Sequence, residues 1–351
     1  MAATIREVAD RAGVSPSTVS RAFTRPEMVD TATRDRVLDV AGRLGYQPSA
    51  SARSLRTGRT GAIGVLVPDL ANPFFPELVR GAQRRARELG HPVLLADSGE
   101  DPDAELGLVR TLAQNVDGLV LCSPRMSDAA LAEAARLRPV VLVNRAAPGS
   151  PAATVPPVLI DNAGGIEQAL RHLRALGHHR VGFVAATETS RSHAQRLDAF
   201  RTRTPAHGLA GIVLGPYPPT VEGGAAAGDD VLLADVTAVV VANDVMAAGL
   251  VARLSRLGLA LPERLSIVGF DDIAISALLT PALTTVRIPL DRAGVVAVER
   301  LHGHLAGGVV AGGVVDGGPG PGTPVPGVPD ALPTELVVRA STASVSGDPR
   351  G

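Results

Sequence analysis

The stretch Thr4-Ile5-Arg6-Glu7-Val8-Ala9-Asp10-Arg11-Ala12-Gly13-Val14-Ser15-Pro16-Ser17-Thr18-Val19-Ser20-Arg21-Ala22-Phe23 decides how the chain begins to fold. Thr4 and Glu7 have the spacing of a capping box, in which a hydroxyl and a carboxylate satisfy two of the amides that open a helix. A helix is therefore expected over about Ile5–Ala12. Gly13 suits the turn that follows, since it takes positive φ without a steric penalty. Ser15 at an N-cap and Pro16 at the first helical position mark a second helix over Pro16–Phe23. Two short helices joined by such a turn form a helix-turn-helix, whose second member enters the DNA major groove N-terminus first. Here that leading end is Ser15-Pro16-Ser17-Thr18, followed by Ser20 and Arg21.

Further along, Val37, Leu38, Val40, Ala41 and Leu44 recur at helical spacing, so a third helix over about Thr31–Leu44 is expected to close a small core, with Gly45 as its stop. Residues 49–60 read as a linker: Ser49 can cap two helical turns, but the segment is too short and Ser-rich to be helical alone. Charge separates in the same place. Residues 1–60 hold ten arginines against six acids, an excess of +4, and with −1 overall the remainder carries −5. That asymmetry is expected of a nucleic-acid-binding head on a body that does not share its partner, and equally of a solvated basic face.

The full length of 351 residues accommodates two or three domains, and 45% hydrophobic residues supply ample core. No apolar run reaches the roughly 18 residues of a membrane span, and Met1–Arg11 lacks a signal-peptide core, so a cytoplasmic protein without membrane contact is expected. Cys122, the single cysteine, closes the run Val116–Cys122 and reads as a buried small hydrophobe.

From residue 61 short β-rich runs alternate with helical stretches. Ile63–Val67, Pro92–Ala96, Gly118–Cys122 and Val140–Asn144 read as strands, with helices around Pro76–Gly90, Asp103–Gln114 and Asp128–Leu137 between them. The pattern repeats with helix Asn162–Leu176, strands Arg180–Ala185, Gly211–Leu214 and Ala238–Ala242, helix Asp244–Leu257 and strand Ser266–Phe270. Alternation of this kind implies parallel sheets covered on both faces. Two such halves leave a cleft at the carboxyl ends of their strands, where ligands bind in open sheets. Asn144 and Arg145, Asn243 and Asp244, and Asp271 stand at those ends. The alternatives are that Asp271 and Asp272 cap the following segment and that Arg145 is a surface arginine.

Residues 4–9, 13–22 and 44–55 closely resemble the lactose-repressor (LacI) family of bacterial regulators. The resemblance continues through Asn72-Pro73-Phe74-Phe75, Val116-Asp117-Gly118-Leu119, Val141-Leu142-Val143-Asn144-Arg145, Leu176-Gly177-His178, Ala242-Asn243-Asp244, and Val268-Gly269-Phe270-Asp271-Asp272 with Thr280–Thr285. It implies an N-terminal all-α helix-turn-helix head on an α/β periplasmic-binding-protein-like core of two doubly wound parallel-sheet subdomains. The divisions it implies are 1–48 for the head, 49–60 for a hinge helix and 61–340 for the effector domain. Within that domain the first subdomain takes 61–159 and 288–310, and the second 160–287 and 331–340. Gly- and Pro-rich 303–330 reads as a disordered insertion, Leu332–Arg339 as the last strand and 341–351 as a loose tail.

By the same resemblance, Pro16 and Ser17 alter which operator is read and Arg21 reaches a guanine edge, a contact worth about 1–3 kcal/mol of discrimination. Thr4, Ser15, Thr18, Ser20 and Tyr46 match phosphate-contacting positions. Ala52, Leu55 and Arg56 fall in the hinge. Leu55 matches the wedge that two subunits insert into the central minor groove, although by itself it reads as an ordinary packing leucine. Thr24 departs from the family's usual asparagine. In the body the resemblance brings Ser192 and Arg196 to the ligand and lays Phe74 and Phe75 beneath it. With Asn144, Arg145, Asn243 and Asp271 they make a set suited to a polyol. Pro205 is expected to end a helix early, and Tyr217 is the candidate aromatic stacker.

These readings point to a transcription regulator, a repressor acting as a homodimer or higher oligomer on a pseudo-palindromic operator, controlled by a small effector, a sugar. A transport-type sugar-binding protein is the alternative, and it would require export. No Walker-type phosphate loop, Cys-x-x-Cys pair or nucleophile–base pair is evident, so neither enzymatic activity nor a cofactor or metal is expected.

Overall fold

Helix α1, Ile5–Ala12, starts at its capping box: the Thr4 amide donates to Glu7 Oε2 at 2.7 Å and the Glu7 amide to Thr4 Oγ1 at 3.3 Å. Gly13 follows at φ 66°, and α2 runs over Pro16–Thr24, one residue beyond expectation. A 3-10 turn at Pro26–Met28 leads to α3, Thr31–Leu44, capped by Asp30 and stopped by Gly45 at φ 60°. Val8, Ala9, Ala12, Val19, Ala22, Val37 and Ala41 form the core of this three-helix unit, with Phe23 and Tyr46 edge to face at 5.9 Å. Leu38, expected in that core, is 40% exposed: it follows Val37 by one residue and so points off the buried stripe.

The computed structural model describes residues 3–46, 58–146, 155–187, 190–307 and 331–345. It forms two compact units, Met1–Gly61 and Ala62–Gly351. The hinge residues Ala52, Leu55 and Arg56 lie outside the described residues.

The first sheet of the second unit has the order β2-β1-β3-β4, all parallel, with β1 Ile63–Val67, β2 Val93–Asp97, β3 Gly118–Cys122 and β4 Val140–Val143. Strands β1, β3 and β4 are buried throughout, which explains their near-continuous apolar sequence. Val65, Val67, Val120, Cys122, Val141 and Val143 share one core with helix α4, Phe74–Glu88. Leu66, Leu119, Leu121, Val140 and Leu142 share the other core, with α5, Pro102–Ala113, and α6, Asp128–Leu137. The alternation of strand side chains thus builds both layers. Burial pushes the Cys122 thiol up to about 12, so it behaves as the inert hydrophobe expected.

Short strand β5, Leu159–Ile160, carries the chain across to α7, Asn162–Ala175, and to the second half. Then follow β6 Arg180–Ala186, α8 Arg191–Arg203, β7 Ala210–Tyr217, α9 Val221–Leu233, β8 Ala238–Val241, α10 Asp244–Arg256, β9 Ser266–Asp271 and β10 Thr284–Arg287. Helix α11, Leu290–Ala306, returns to pack on α4 and the first sheet, and β11, Ala331–Leu332, pairs with β5. Last comes β12, Glu335–Val337, antiparallel to β10 at the edge of the second sheet, whose order is β12-β10-β9-β8-β6-β7.

Helix α9 and strand β10 have no counterpart in the sequence reading. Gly223, Gly224 and Gly228 make α9 a poor helix by propensity; Gly224 and Gly228 face α10, and Gly223 lies against the Pro218 carbonyl of the preceding turn. Pro205 ends α8 as expected, with a 3-10 turn at Pro205–His207. Two boundaries are corrected. Residues 303–306 of the expected insertion belong to α11, while 308–330 lie outside the described residues. Residues 341–345 are no loose tail. Ser341 is buried and donates to the Ile267 carbonyl at 2.6 Å, and the Ala343 amide donates to Ser266 Oγ at 3.0 Å. His178 lies against Thr237, Ser266 and the Ala343 carbonyl, a structural knot. No helix among the described residues is long and apolar enough to cross a membrane.

Candidate functional site

In the first unit, α2 turns Val19 and Ala22 into the core and leaves Ser15, Pro16, Ser17 and Arg21 exposed on the other side. Ser15 Oγ accepts from the Thr18 amide at 3.2 Å and lies 2.8 Å from Ser17 Oγ, which fixes the leading turn. Arg21 donates to the Ser17 carbonyl and hydroxyl at 3.2 and 3.3 Å, contacts exposed enough to be exchanged for a partner. Thr4 is exposed; Thr18, Ser20 and Tyr46 are half-buried; the Thr24 hydroxyl donates to the Ser20 carbonyl at 2.8 Å. A row of hydroxyls and one arginine at a helix N-terminus can hold phosphates and read a base edge.

In the second unit a crevice opens at the carboxyl ends of the strands of both sheets. Asn72, Phe74, Phe75, Glu100, Ser123, Arg125 and Asn144 line it from the first half, and Ser190, Ser192, His193, Arg196, Pro219, Asn243 and Asp271 from the second. Seven of the eight residues expected there are present. Arg145 is the exception. With Asn144 in left-handed backbone at φ 57°, the Arg145 guanidinium is buried away from the crevice, donating to the Pro124 and Met126 carbonyls at 2.8 and 2.7 Å and to Asp128 at 2.6 Å. Tyr217 does not line the crevice either: its hydroxyl bonds Asp230 on α9, and Pro219 stands at the wall instead.

Arg196 organises the second half. Its Nη2 donates to Asp271 Oδ1 at 3.2 Å, Nη1 to the Ala242 carbonyl at 2.6 Å and Nε to Asn162 Oδ1 at 3.0 Å, and its guanidinium lies 3.8 Å from the centre of the Phe270 ring. Both members of the ion pair are buried. Burial pushes the Asp271 carboxyl up to about 7 although Arg196 opposes it, and burial likewise lowers Arg196. Asn162 also donates to Asn144 Oδ1 at 2.9 Å, linking the two halves. Asn243 caps α10 through the Met246 amide at 2.8 Å. Asp244 and Asp272, by contrast, are structural. Asp244 accepts from Ser276, Thr285 and the Ile273 amide, and Asp272 pairs with Arg287 and Arg339.

A second arginine was not foreseen. Arg125 grips Glu100 through Nε and Nη2 at 2.6 and 2.8 Å and the Ser123 carbonyl through Nη1 at 2.6 Å. Buried Glu105 accepts the Arg125 and Met126 amides and so fixes the loop that carries it. Glu100, Ser123, Asn144 and Asp271 all have positive φ, 62°, 44°, 57° and 122°, so backbone strain gathers around the crevice. The rule that selected Asn144 and Asp271, polarity just after a strand, applies equally to Glu100 after β2 and to Ser123-Pro124-Arg125 after β3. His193 carried no such signal.

Residues 4–49 match the model of bacterial regulatory proteins of the lacI family, and 170–342 match the periplasmic binding protein-like domain. The HTH-type transcriptional regulator GalS of Salmonella typhimurium is 35% identical over 302 residues, covering 84% of this chain and 88% of that protein. The chain belongs to the LacI family. It is a DNA-binding transcriptional regulator. The LacI-family repressor CytR of Escherichia coli is 34% identical over 317 residues, 87% of this chain and 91% of that one. Among solved structures, the lac repressor dimer bound to operator and the anti-inducer ONPF superposes with a TM-score of 0.83 at 26% identity, over 98% of this chain and 100% of that chain. Within the LacI-family framework the expected fold class holds: a helical helix-turn-helix region followed by an α/β core of parallel-sheet subdomains.

Proposed function

We propose that this LacI-family regulator is a cytoplasmic repressor, not an enzyme, that binds a pseudo-palindromic operator as a homodimer and releases or grips it according to a sugar in the crevice of its body. The observation that carries the reading is the buried Arg196–Asp271 pair facing the crevice opposite Phe74 and Phe75. A carboxylate and a guanidinium hydrogen-bond adjacent hydroxyls, and the aromatic faces suit a sugar's C–H side. Support also comes from the lac repressor structure, whose dimer holds operator and a ligand, and from a CelR–cellobiose complex of TM-score 0.67 and 29% identity. A transport role is not favoured, because the helix-turn-helix head has no place in it.

In this reading Arg21, Pro16 and Ser17 read bases, while Thr4, Ser15, Thr18, Ser20 and Tyr46 hold phosphates. Ala52, Leu55 and Arg56 act in the hinge. Asn144, Asn243 and Ser192 contact the ligand beside Arg196 and Asp271. The sequence of the hinge segment reads as too short and Ser-rich to be helical alone, so a few kcal/mol of differential effector binding suffices to switch operator affinity. Selection of bound duplexes from a random pool, with and without candidate sugars, is the test. The expected result is an enriched two-fold symmetric sequence whose recovery changes with one sugar. Failure to enrich any sequence under either condition overturns the reading.

A further inference from the structure

Both cations in the crevice are already matched. Arg125 is held in a two-bond fork by Glu100, and Arg196 by Asp271, Asn162 and the Ala242 carbonyl. An anionic ligand would bring an uncompensated negative charge up to Glu100 and Asp271, whose guanidinium partners are already matched one for one, Asp271 being buried. A cationic ligand would meet two guanidiniums and carboxylates that are already engaged. Hydroxyl groups avoid both conflicts, since each accepts from a spare guanidinium N–H and donates to a carboxylate lone pair while bringing no charge of its own.

One polar group in the crevice is left over. Ser190 caps α8 by accepting the His193 amide at 3.4 Å, which sets the His193 ring on the crevice wall. Its Nδ1 is buried and has no partner among the described residues. A buried polar atom without a partner is costly enough to require an explanation, and a ligand atom supplies one. Burial, with the charges of Arg196 and Arg125, holds the imidazole well below its ordinary range, so the ring is neutral. A neutral ring offers one donor and one acceptor, the complement of a hydroxyl.

We propose that the crevice takes an uncharged polyhydroxy ligand and that His193 reads it, through a hydrogen bond between Nδ1 and a ligand hydroxyl. This rests on the sugar-binding reading of the same crevice and narrows its chemical class. Phosphorylated sugars, sugar acids and amino sugars are excluded from the site by its paired charges.

The test is calorimetry on the full-length protein near neutral pH with D-glucose, D-galactose, D-ribose and cellobiose, alongside D-glucose 6-phosphate, D-galacturonate, D-ribose 5-phosphate and D-glucosamine. The expected result is that a neutral sugar binds at least about tenfold more tightly than its charged derivative. His193→Leu is expected to weaken that sugar by about tenfold or more, and His193→Gln, which keeps a hydrogen-bonding group, to recover part of the loss. Should the leucine variant not fold, the glutamine variant and a His193→Phe variant carry the comparison. A charged derivative that binds as well as its parent overturns the proposal while leaving the sugar reading intact. Equal affinity in wild type and both His193 variants overturns the role of His193. If nothing in the panel binds, the sugar reading itself falls, and the proposal falls with it.

Discussion

Arg196 and Asp271 are buried together, and each is tolerable there only because of the other. Removing the carboxylate alone in Asp271→Ala strands a guanidinium, so a loss of about 3–5 kcal/mol in denaturant unfolding of the body is expected. The double variant Arg196→Met with Asp271→Leu is expected to recover much of that stability without recovering any response to the effector. Recovery of both would show that the pair is merely structural. Protonation provides a second check. Since burial raises Asp271 from 3.8 to about 7, its contribution to stability is fully present below 3.8 and is lost as pH rises through about 7. A ligand hydroxyl that donates to the ionised carboxylate reverses this penalty. Effector binding near neutral pH is therefore expected to release a proton and to weaken towards tenfold per pH unit below about 7. Calorimetry in buffers of different ionisation enthalpy measures the release, and identical heats in all of them contradict it. At this scale the polar strand ends were legible in the chain, but the destination of Arg145 was not. It depends on the left-handed turn at Asn144 and on carbonyls about twenty residues away.

Two helix pairs are built on reciprocal glycines. A Cβ on Gly224 of α9 would stand 1.9 Å from the Met246 carbonyl oxygen of α10, and one on Gly249 of α10 would stand 1.9 Å from the Val221 oxygen of α9. In the first half, Gly81 of α4 meets the Asp291 carbonyl oxygen at 2.2 Å and Gly294 of α11 meets that of Leu78 at 2.1 Å. The backbones approach so closely that only a hydrogen fits between them. Gly249→Ala and Gly81→Ala are each expected to cost at least about 1–3 kcal/mol in denaturant unfolding, despite alanine's better helix propensity. A gain in stability, as propensity alone dictates, would mean that the helices are not in this contact. The same opposition explains why α9 was illegible: its glycines argue against a helix locally, and the partners of Gly224 and Gly228 lie more than twenty residues away. Helices α1 and α2 were legible because Thr4, Ser15 and Gly13 act within a turn of their own positions, and α3 because its apolar residues recur at helical spacing up to Gly45; its Asp30 cap was found only in the structure.

The whole molecule separates a basic reader from a slightly acidic sensor, with ten arginines against six acids in the first sixty residues and an excess of −5 in the rest. Operator binding is therefore expected to fall steeply with salt, while sugar binding to the paired, buried charges is expected to change little. Leu55→Ala is expected to lose most sequence-specific affinity and keep the salt-sensitive non-specific part, as gel-shift competition would show; equal loss of both would remove the wedge assignment. The chain's linear order determined the head, the alternation of strands and helices and the polar positions after β4, β8 and β9. Caps, turns and periodicity are local, and each residue carries its own signal. Only the folded body decided that His193 joins the crevice, that Arg125 and Glu100 meet there as a pair, that Arg145 and Tyr217 leave it, and that residues 341–345 lock onto the second sheet. Those outcomes depend on partners far apart in the chain, brought within hydrogen-bond reach by the packing of two sheets and their helices.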